Sequence, residues 1–538
     1  MDGPHAPPLR GSLPPEGERS ASGRPGGRTG PHAPPLRGSR GMNIAIVGAG
    51  WAGLAAAVRA TLDGHHATVF EASRAIGGRA RALNSTFPGG TPVTLDNGQH
   101  ILIGAYSSTL ELMRTVGVDP AQLRRLPLDL RFADGTGLAL PDWPSPLNAM
   151  AGIATARGWS WRDRWSLLRA SIGWQRAGFR CAPGASVAEL CGVGPSANAF
   201  IGGISPAIYR SLIEPLCVSA LNTPPERACG QVFLNVLRDS LFGGRGSSDL
   251  LLPVGDLSRL FPDAAACWLT ARGAEVRTGA RVQGLRALTD AREAGTAEPG
   301  ATAEMGRIRW QIELERHRGE RDSGIGKVGG GGESGEGESN GEGEGRREDE
   351  GQGDGEAFDA VIWATSAPNA AQALTASARA APESIAKSLK PWAATAAALH
   401  HESIATVYAF GTNACLPRPM VALRSNTDFP AQFVLDRGQL GGPQGLMAFV
   451  VSASSGDKAT LERQVLAQAA AQLGWALQPL QTVVEKRATF ACTPALLRPP
   501  CAIAPALWAC GDYVDGPYPA TLEGAIRSGL QAAAMLAR

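Results

Sequence analysis

The sequence predicts an α/β protein whose parallel-sheet unit is discontinuous along the chain, with a second, α+β unit set between its pieces. Three stretches predict it. The first runs from Asn43 to Glu71, the second from Ser73 to Arg81, and the third from Ala506 to Ala525. In the first, Asn43 to Val47 is a short, apolar, β-branched run leading into Gly48, Gly50 and Gly53 in G-x-G-x-x-G spacing. The first glycine allows a tight turn out of the strand, the second lets backbone approach a pyrophosphate, and the third lets the helix pack closely on the sheet. The alanine-rich Ala52 to Ala60 then aims its N-terminal amides and dipole at that anion. Gly64, His65 and His66 break the helix, Ala67 to Phe70 returns as a strand, and Glu71 stands at its end. A carboxylate there accepts both ribose hydroxyls and argues against a 2′-phosphate. This Rossmann-like succession calls for an adenosine diphosphate moiety, but leaves NAD and FAD both open.

Behind Glu71, Gly77 and Gly78 are flanked by Arg74, Arg79 and Arg81, giving a second close backbone approach beside cationic donors. That suits a cofactor extending beyond its first pyrophosphate contact. Far along the chain, Ala506 to Cys510 is an apolar strand running into Gly511 and Asp512, and Pro519 to Ala525, with Thr521 and Leu522, begins a last helix. An acid at a strand end binds a polyol, and a helix N-terminus sits under an electron-rich ring edge. Together the three stretches resemble the FAD-binding elements of the amine oxidase and phytoene desaturase superfamily. The resemblance implies FAD as cofactor, the residues just named as its contacts, and a substrate domain of the amine oxidase type.

At 538 residues the chain is long enough for two or three domains. No run of eighteen apolar residues indicates a spanning helix. The nine cysteines include no C-x-x-C pair, so no metal site is expected and a reducing cytoplasm fits best. Residues 1–41 are rich in Pro, Gly and Arg, repeat GPHAPPLRGS at Gly3 and again at Gly30, and are expected to be disordered. Met42, just before the first strand, leaves open that translation starts there. Residues 319–356 are a Gly/Glu-rich insertion, also expected to be disordered; from Gly329 to Glu356 ten acids face only Arg346 and Arg347. With both segments set aside, the mildly basic body suits an anionic membrane surface. It lacks the clustered basic pattern of a nucleic-acid binder.

Val93 to Gly104 places Asp96, Asn97, Gln99 and His100 between two strand-like pieces, and Ala105 to Val116 has helical spacing. From Pro141 to Ala220 the periodicity is mostly helical. Trp161, Trp165, Leu168 and Ile172 fall on one face there, with Arg162, Arg169 and Arg176 around the other side. The plainer reading is a core-facing amphipathic helix. A helix lying in a membrane interface uses the same residues. Strands are expected at Thr406–Phe410, Gln432–Leu435 and Leu446–Ser452, and a helix at Leu461–Leu473. The wordings LDNGQHILIGAY from Leu95, LNTPP from Leu221, EKRATF from Glu485 and PATLEGA from Pro519 resemble the bacterial hydroxysqualene dehydroxylases, squalene-associated FAD-dependent desaturases.

That resemblance covers about Met42 to Arg538 apart from the acidic insertion. It implies an FAD-binding domain of residues 42–140, 221–318, 357–390 and 497–538, and a substrate domain of residues 141–220 and 391–496. It also implies reductive removal of the allylic hydroxyl of hydroxysqualene, a lipophilic triterpenoid, to form squalene. A carotenoid desaturase of the phytoene type and a non-catalytic FAD-binding scaffold are the alternatives. His100 is the expected proton donor or the organiser of a donor water, because an imidazole titrates near neutrality. Gln99 would orient the substrate oxygen. Asp96, Glu214 and Tyr209 are alternative donors, and a purely structural His100 bonded to backbone is the plainer possibility. No second nucleotide motif is apparent, so the electron donor is unknown. The expected location is cytoplasmic, peripheral on the inner face of the membrane.

Overall fold

The computed structural model describes residues 41–193, 203–289, 308–315 and 355–537. The expectations for the tail up to residue 40 and for nearly all of the acidic insertion lie outside them. β1 (Asn43–Val47) is turned by Gly48 to Gly50 into α1 (Trp51–Leu62), and β2 (His66–Glu71) returns parallel to β1, with Ile44 opposite Ala67 and Val47 opposite Phe70. A hairpin of Ala82–Thr86 with Pro92–Asp96 precedes α2 (Ser107–Thr115). Then come α3 (Leu147–Thr155), α4 (Trp161–Arg176), α5 (Glu214–Leu221) and α6 (Gly230–Phe242).

β3 (Glu275–Thr278) and β4 (Ala360–Trp363) rejoin the first sheet. The next five strands form the second: β5 (His401–Phe410), β6 (Met420–Ala422), β7 (Phe433–Asp436), β8 (Leu446–Ser452) and β9 (Gln478–Phe490). β10 (Ala502–Ala504), β11 (Leu507–Ala509) and α7 (Leu522–Ala534) return to the first.

The first sheet has the order β3-β2-β1-β4-β11-β10 and is parallel except for its last pair. Covered on both faces, its central strands are continuous apolar runs: Ile44, Ala45, Ile46, Val361 and Ile362 are wholly buried. On one face α1 packs against α7 so closely that a Cβ on Gly529 would lie 2.2 Å from the Ala52 carbonyl oxygen. This contact carries the C-terminal helix to the first glycine turn. The second sheet, order β6-β7-β8-β5-β9, is antiparallel, and α4, α5 and α6 share a core with it that includes Leu167, Leu221, Phe233, Leu237, Tyr408 and Phe433.

Four expectations are corrected. A helix at Glu383–Ala397 runs through the boundary placed at 390/391. α6, assigned to the FAD-binding domain, packs in the core of the second sheet, because Phe233 and Leu237 lie on its buried stripe. β9 was not expected as a strand, since its charged Glu485, Lys486 and Arg487 hide the alternation of a half-covered edge strand. The core-facing reading of α4 fails at its N-terminal end, where Trp161 and Trp165 are 72% and 58% exposed.

Candidate active site: a nucleotide cradle open to an apolar chamber

Each glycine of the first turn does a different job. Gly48 leaves β1 at φ +116°, and a Cβ there would meet the Ala364 carbonyl oxygen at 2.8 Å; one on Gly53 would lie 1.9 Å from the Gly48 oxygen. These two are demanded by packing. Gly50 is not: nothing lies within 4 Å of where its Cβ would point. Its missing side chain leaves room against the N-terminus of α1, which no side chain caps. The second glycine turn is stitched to the first by the Gly77 amide donating to the Ala49 carbonyl at 2.8 Å, and Gly78 takes φ +61° beside Gly50. Glu71 accepts from the Ala49 amide at 2.9 Å and the Ser73 amide at 2.8 Å, so it also holds the two turns together. Arg79 reaches Asp512 at 2.5 Å and also donates to the Ala488 carbonyl. The Gly511 amide donates to Ser528 Oγ at 2.7 Å, and Thr521 caps α7 through the Gly524 amide at 2.9 Å.

All of the expected cofactor contacts except Gly53 line one cavity of about 1280 Å³. That exceeds the roughly 300–1,000 Å³ of a usual small-molecule pocket, leaving room for a second ligand. Away from the glycines the wall turns aliphatic, with Leu130, Leu140, Leu168, Val236, Met420 and Phe433. Asn97 to His100 also line this cavity. His100 Nδ1 lies 3.1 Å from the Gly98 carbonyl oxygen. Burial lowers its pKa below the ordinary histidine value, the Gly98 contact opposes this, and the charge of Arg79 adds to it. The neutral ring that results donates from Nδ1 to Gly98, a tautomer assigned from this contact, and its Nε2 carries a lone pair.

Gln99 is held at both ends of its amide. Its Nε2 donates to Tyr408 Oη at 2.7 Å, and its Oε1 accepts from Arg437 at 3.2 Å. Tyr408 Oη in turn donates to the Asp96 carbonyl at 2.8 Å and accepts from the Asp96 amide at 3.1 Å. The Asp96 carboxylate takes the Leu257 amide at 2.8 Å and faces Arg437 at 3.7 Å; burial pushes its pKa up to about 6 against the pull of Arg437. Of the alternative donors, Asp96, Glu214 and Tyr209 all lie outside the cavity lining, and Tyr209 is spent on Glu226 at 3.1 Å. Glu485, which does line the cavity and accepts from Asn97 at 3.3 Å, is a carboxylate the sequence reading passed over.

The family described as flavin containing amine oxidoreductase matches residues 51–300. The chain is similar to the hydroxysqualene dehydroxylase of Rhodopseudomonas palustris, 31% identical over 256 residues that cover 46% of this chain and 54% of that protein. It is also similar to that of Zymomonas mobilis subsp. mobilis, 28% identical over 242 residues that cover 43% and 52%. The chain is thus similar to the flavin-containing amine oxidoreductases over residues 51–300. The matches span about half the length of these curated relatives. Among solved structures, an oxidoreductase from Methanosarcina mazei matches with a TM-score of 0.59 at 14% identity, over 92% of this chain and all of that one, which establishes the same fold.

The cofactor of this flavoprotein is FAD, and its residues fit the group. Besides the open face of Gly50, the buried Tyr513 hydroxyl on the cavity wall has no hydrogen-bond partner among the described residues, a cost that a polar atom of a bound ligand relieves. Glu71, Asp512 and the α1 N-terminus, the expected contacts for ribose, polyol and pyrophosphate, line the same cavity. The family-like wordings, scattered over the sequence, converge here. Asn97 bonds Glu485, and Asn222, in the left-handed region at φ +46°, bonds Thr489 at 2.9 Å. Glu523 of the last helix accepts from the amides of Ser108 and Thr109, at 3.1 and 2.9 Å, and so caps α2. Tyr408 and Arg437, which fix Gln99, had no signal of their own in the sequence. Among the described residues no group of three or more His, Cys, Asp or Glu is placed to hold a metal.

Proposed function

We propose that this flavoprotein reductively removes the hydroxyl of hydroxysqualene to form squalene. The observation that carries the reading is the aliphatic chamber continuous with the nucleotide cradle, with Gln99 and His100 on their shared wall. The two relatives named for this reaction support it. In the reaction the allylic C–O bond breaks, the oxygen takes a proton and leaves as water, and a hydride forms the new C–H bond. Reduced FAD supplies that hydride when bound.

The chain's own residues bind and orient. The aliphatic walls exclude water and hold the hydrocarbon. Gln99, locked by Tyr408 and Arg437, presents its remaining amide hydrogen-bonding capacity to the substrate oxygen. His100 offers the Nε2 lone pair, so it holds the substrate hydroxyl or a donor water rather than carrying the proton itself at neutral pH. Glu485, the carboxylate that accepts from Asn97, lines the same cavity. A C30 hydrocarbon product suits a protein that works against a membrane surface, and no helix among the described residues is long and apolar enough to cross one. The test is anaerobic incubation of the flavin-reduced protein with hydroxysqualene and, separately, of the flavin-oxidised protein with phytoene. Squalene is expected from the first. New conjugated double bonds from the second, formed by the oxidised protein, would make it a desaturase, and FAD binding without turnover a scaffold.

A further inference from the structure

Exposed residues occur in the cavity lining both toward the nucleotide turns and beside the helices α3 and α4. Near the nucleotide turns the exposed lining includes the polar Arg281, Gln283, Glu315 and Gln372. At the other end it is Pro146 and Met150 beside α3, and Ile172 and Gln175 on α4, where Met150 is 54% and Ile172 38% exposed. An apolar chamber that opens through apolar, exposed side chains is open to something other than water. The surrounding surface is unusual in the same sense. Six of the eleven large apolar side chains exposed among the described residues fall between Trp143 and Ile172: Trp143, Leu147, Met150, Trp161, Trp165 and Ile172. Scattered single exposures are ordinary in proteins, but a cluster of this kind marks a contact surface.

The charge beside the cluster selects the partner. From Trp143 to Arg180 the chain carries Arg157, Arg162, Arg164, Arg169, Arg176 and Arg180 against Asp163 alone. Asp163 is itself consumed in capping α4 with Ser160 and in accepting from Ser205 Oγ at 2.6 Å. Asp142, just outside the stretch, faces Arg245 at 3.7 Å. On α4 the residues Arg162, Arg169 and Arg176 recur at seven-residue spacing and so run in one line, flanking the stripe of Trp161, Trp165, Leu168 and Ile172. Exposed tryptophans and aliphatic side chains bordered by arginines match the boundary between acyl chains and anionic headgroups.

We infer that α3 and α4 seat the protein on an anionic lipid bilayer with the apolar mouth of the cavity facing the acyl chains, so that lipophilic substrate and product exchange with the membrane without crossing water. This rests on the proposed reaction only for the identity of the substrate; the seat itself follows from the surface.

Flotation of the full, FAD-loaded chain with vesicles tests it. Binding is expected to vesicles of phosphatidylcholine mixed with phosphatidylglycerol, and to be weaker on phosphatidylcholine alone. Each of R162Q and R176Q should weaken the anionic binding roughly fivefold. The double variant W161S/W165S should weaken it at least as much while keeping its FAD absorbance, since neither tryptophan lines the cavity. Lipids brominated in their acyl chains should quench the wild-type tryptophan fluorescence and quench W161F/W165F less. Equal flotation of wild type and W161S/W165S, or no quenching by brominated lipid, overturns the inference. So does a lipid-free dimer that the tryptophan substitutions dissociate, which would make the patch a contact between two copies. Failure to form squalene alongside intact vesicle binding would instead overturn the proposed reaction and leave the seat standing.

Discussion

Tyr408 and Gln99, 309 residues apart, share a 2.7 Å hydrogen bond in which the glutamine amide donates to the phenol. The same phenol satisfies both backbone groups of Asp96, so one side chain of the second sheet pins the loop that carries Gln99 and His100. Tyr408→Phe removes all three bonds and leaves buried backbone groups unsatisfied, at a cost of about 1–3 kcal/mol. FAD content should persist, while flavin reoxidation by hydroxysqualene should slow by roughly tenfold to a hundredfold as Gln99 loses its fixed pose. Thermal unfolding and anaerobic single-turnover kinetics measure the two effects. A wild-type rate in a destabilised variant would reduce Tyr408 to a core residue.

The direction of the His100 shift makes its role testable by pH. Burial holds its folded pKa below the ordinary value, so the ring is neutral at neutrality and gains a proton only on acidification. As a lone-pair acceptor, His100 should give a rate that is flat around neutrality and falls as the ring protonates. As the proton donor, it should give the opposite, a rate that rises on acidification, and His100→Ala should lose about two to four decades. The expected outcome is the first profile, with that acid-side fall absent in His100→Ala. A rising acid limb would restore histidine as the donor.

The glycine turns separate cofactor contact from folding. At Gly50, φ is −75° and the Cβ direction is empty, so Gly50→Ala should leave the apoprotein's thermal stability unchanged and abolish or greatly weaken FAD binding. At Gly53 a Cβ would press on the Gly48 oxygen at 1.9 Å, so Gly53→Ala should destabilise the apoprotein itself. Glu71→Ala, which on sequence grounds should affect FAD far more than the fold, is expected to do both, because Glu71 also ties the Ala49 and Ser73 amides. Titration with FAD and unfolding of the apoprotein distinguish the three variants. An undiminished FAD affinity in Gly50→Ala would remove the pyrophosphate from this turn.

Asp96 should leave a signature in stability against pH. Its folded pKa, about 6, lies above the ordinary 3.8, so the folded state holds the proton more tightly than the unfolded chain. Its contribution is therefore present at about pH 4 and is lost as pH rises through about 6, a change on the order of 3 kcal/mol at most. Asp96→Asn, which keeps the shape, should remove that fall. Urea unfolding of both proteins across this range gives the difference directly, and parallel pH profiles for the two would contradict it.

Much of the first sheet was legible in the sequence because its signals are local. A strand, three glycines with distinct steric duties, a helix and an acid follow one another within thirty residues, and each is set by backbone geometry or by the next few side chains. The return of Leu507–Ala509 to that sheet was legible from its apolar run into Gly511-Asp512. The chamber was not. Helical spacing assigns Trp161, Trp165, Leu168 and Ile172 to one face of α4, but a face carries no record of what it meets. Only the packing of α4 beside α3 turned Leu168 and Ile172 to the cavity and left the tryptophans outside.

The sequence by itself determined the geometry of the glycine turns, down to which glycine is packed against backbone and which is left open, because those positions are decided by the presence or absence of one Cβ. Tertiary structure alone decided that Gln99 is gripped by Tyr408 and Arg437, that Asn222 meets Thr489, and that Glu523 caps α2. These are hydrogen bonds between groups hundreds of residues apart. Their energy depends on a few tenths of an ångström in the packing of two sheets, a distance that no local pattern of residues encodes.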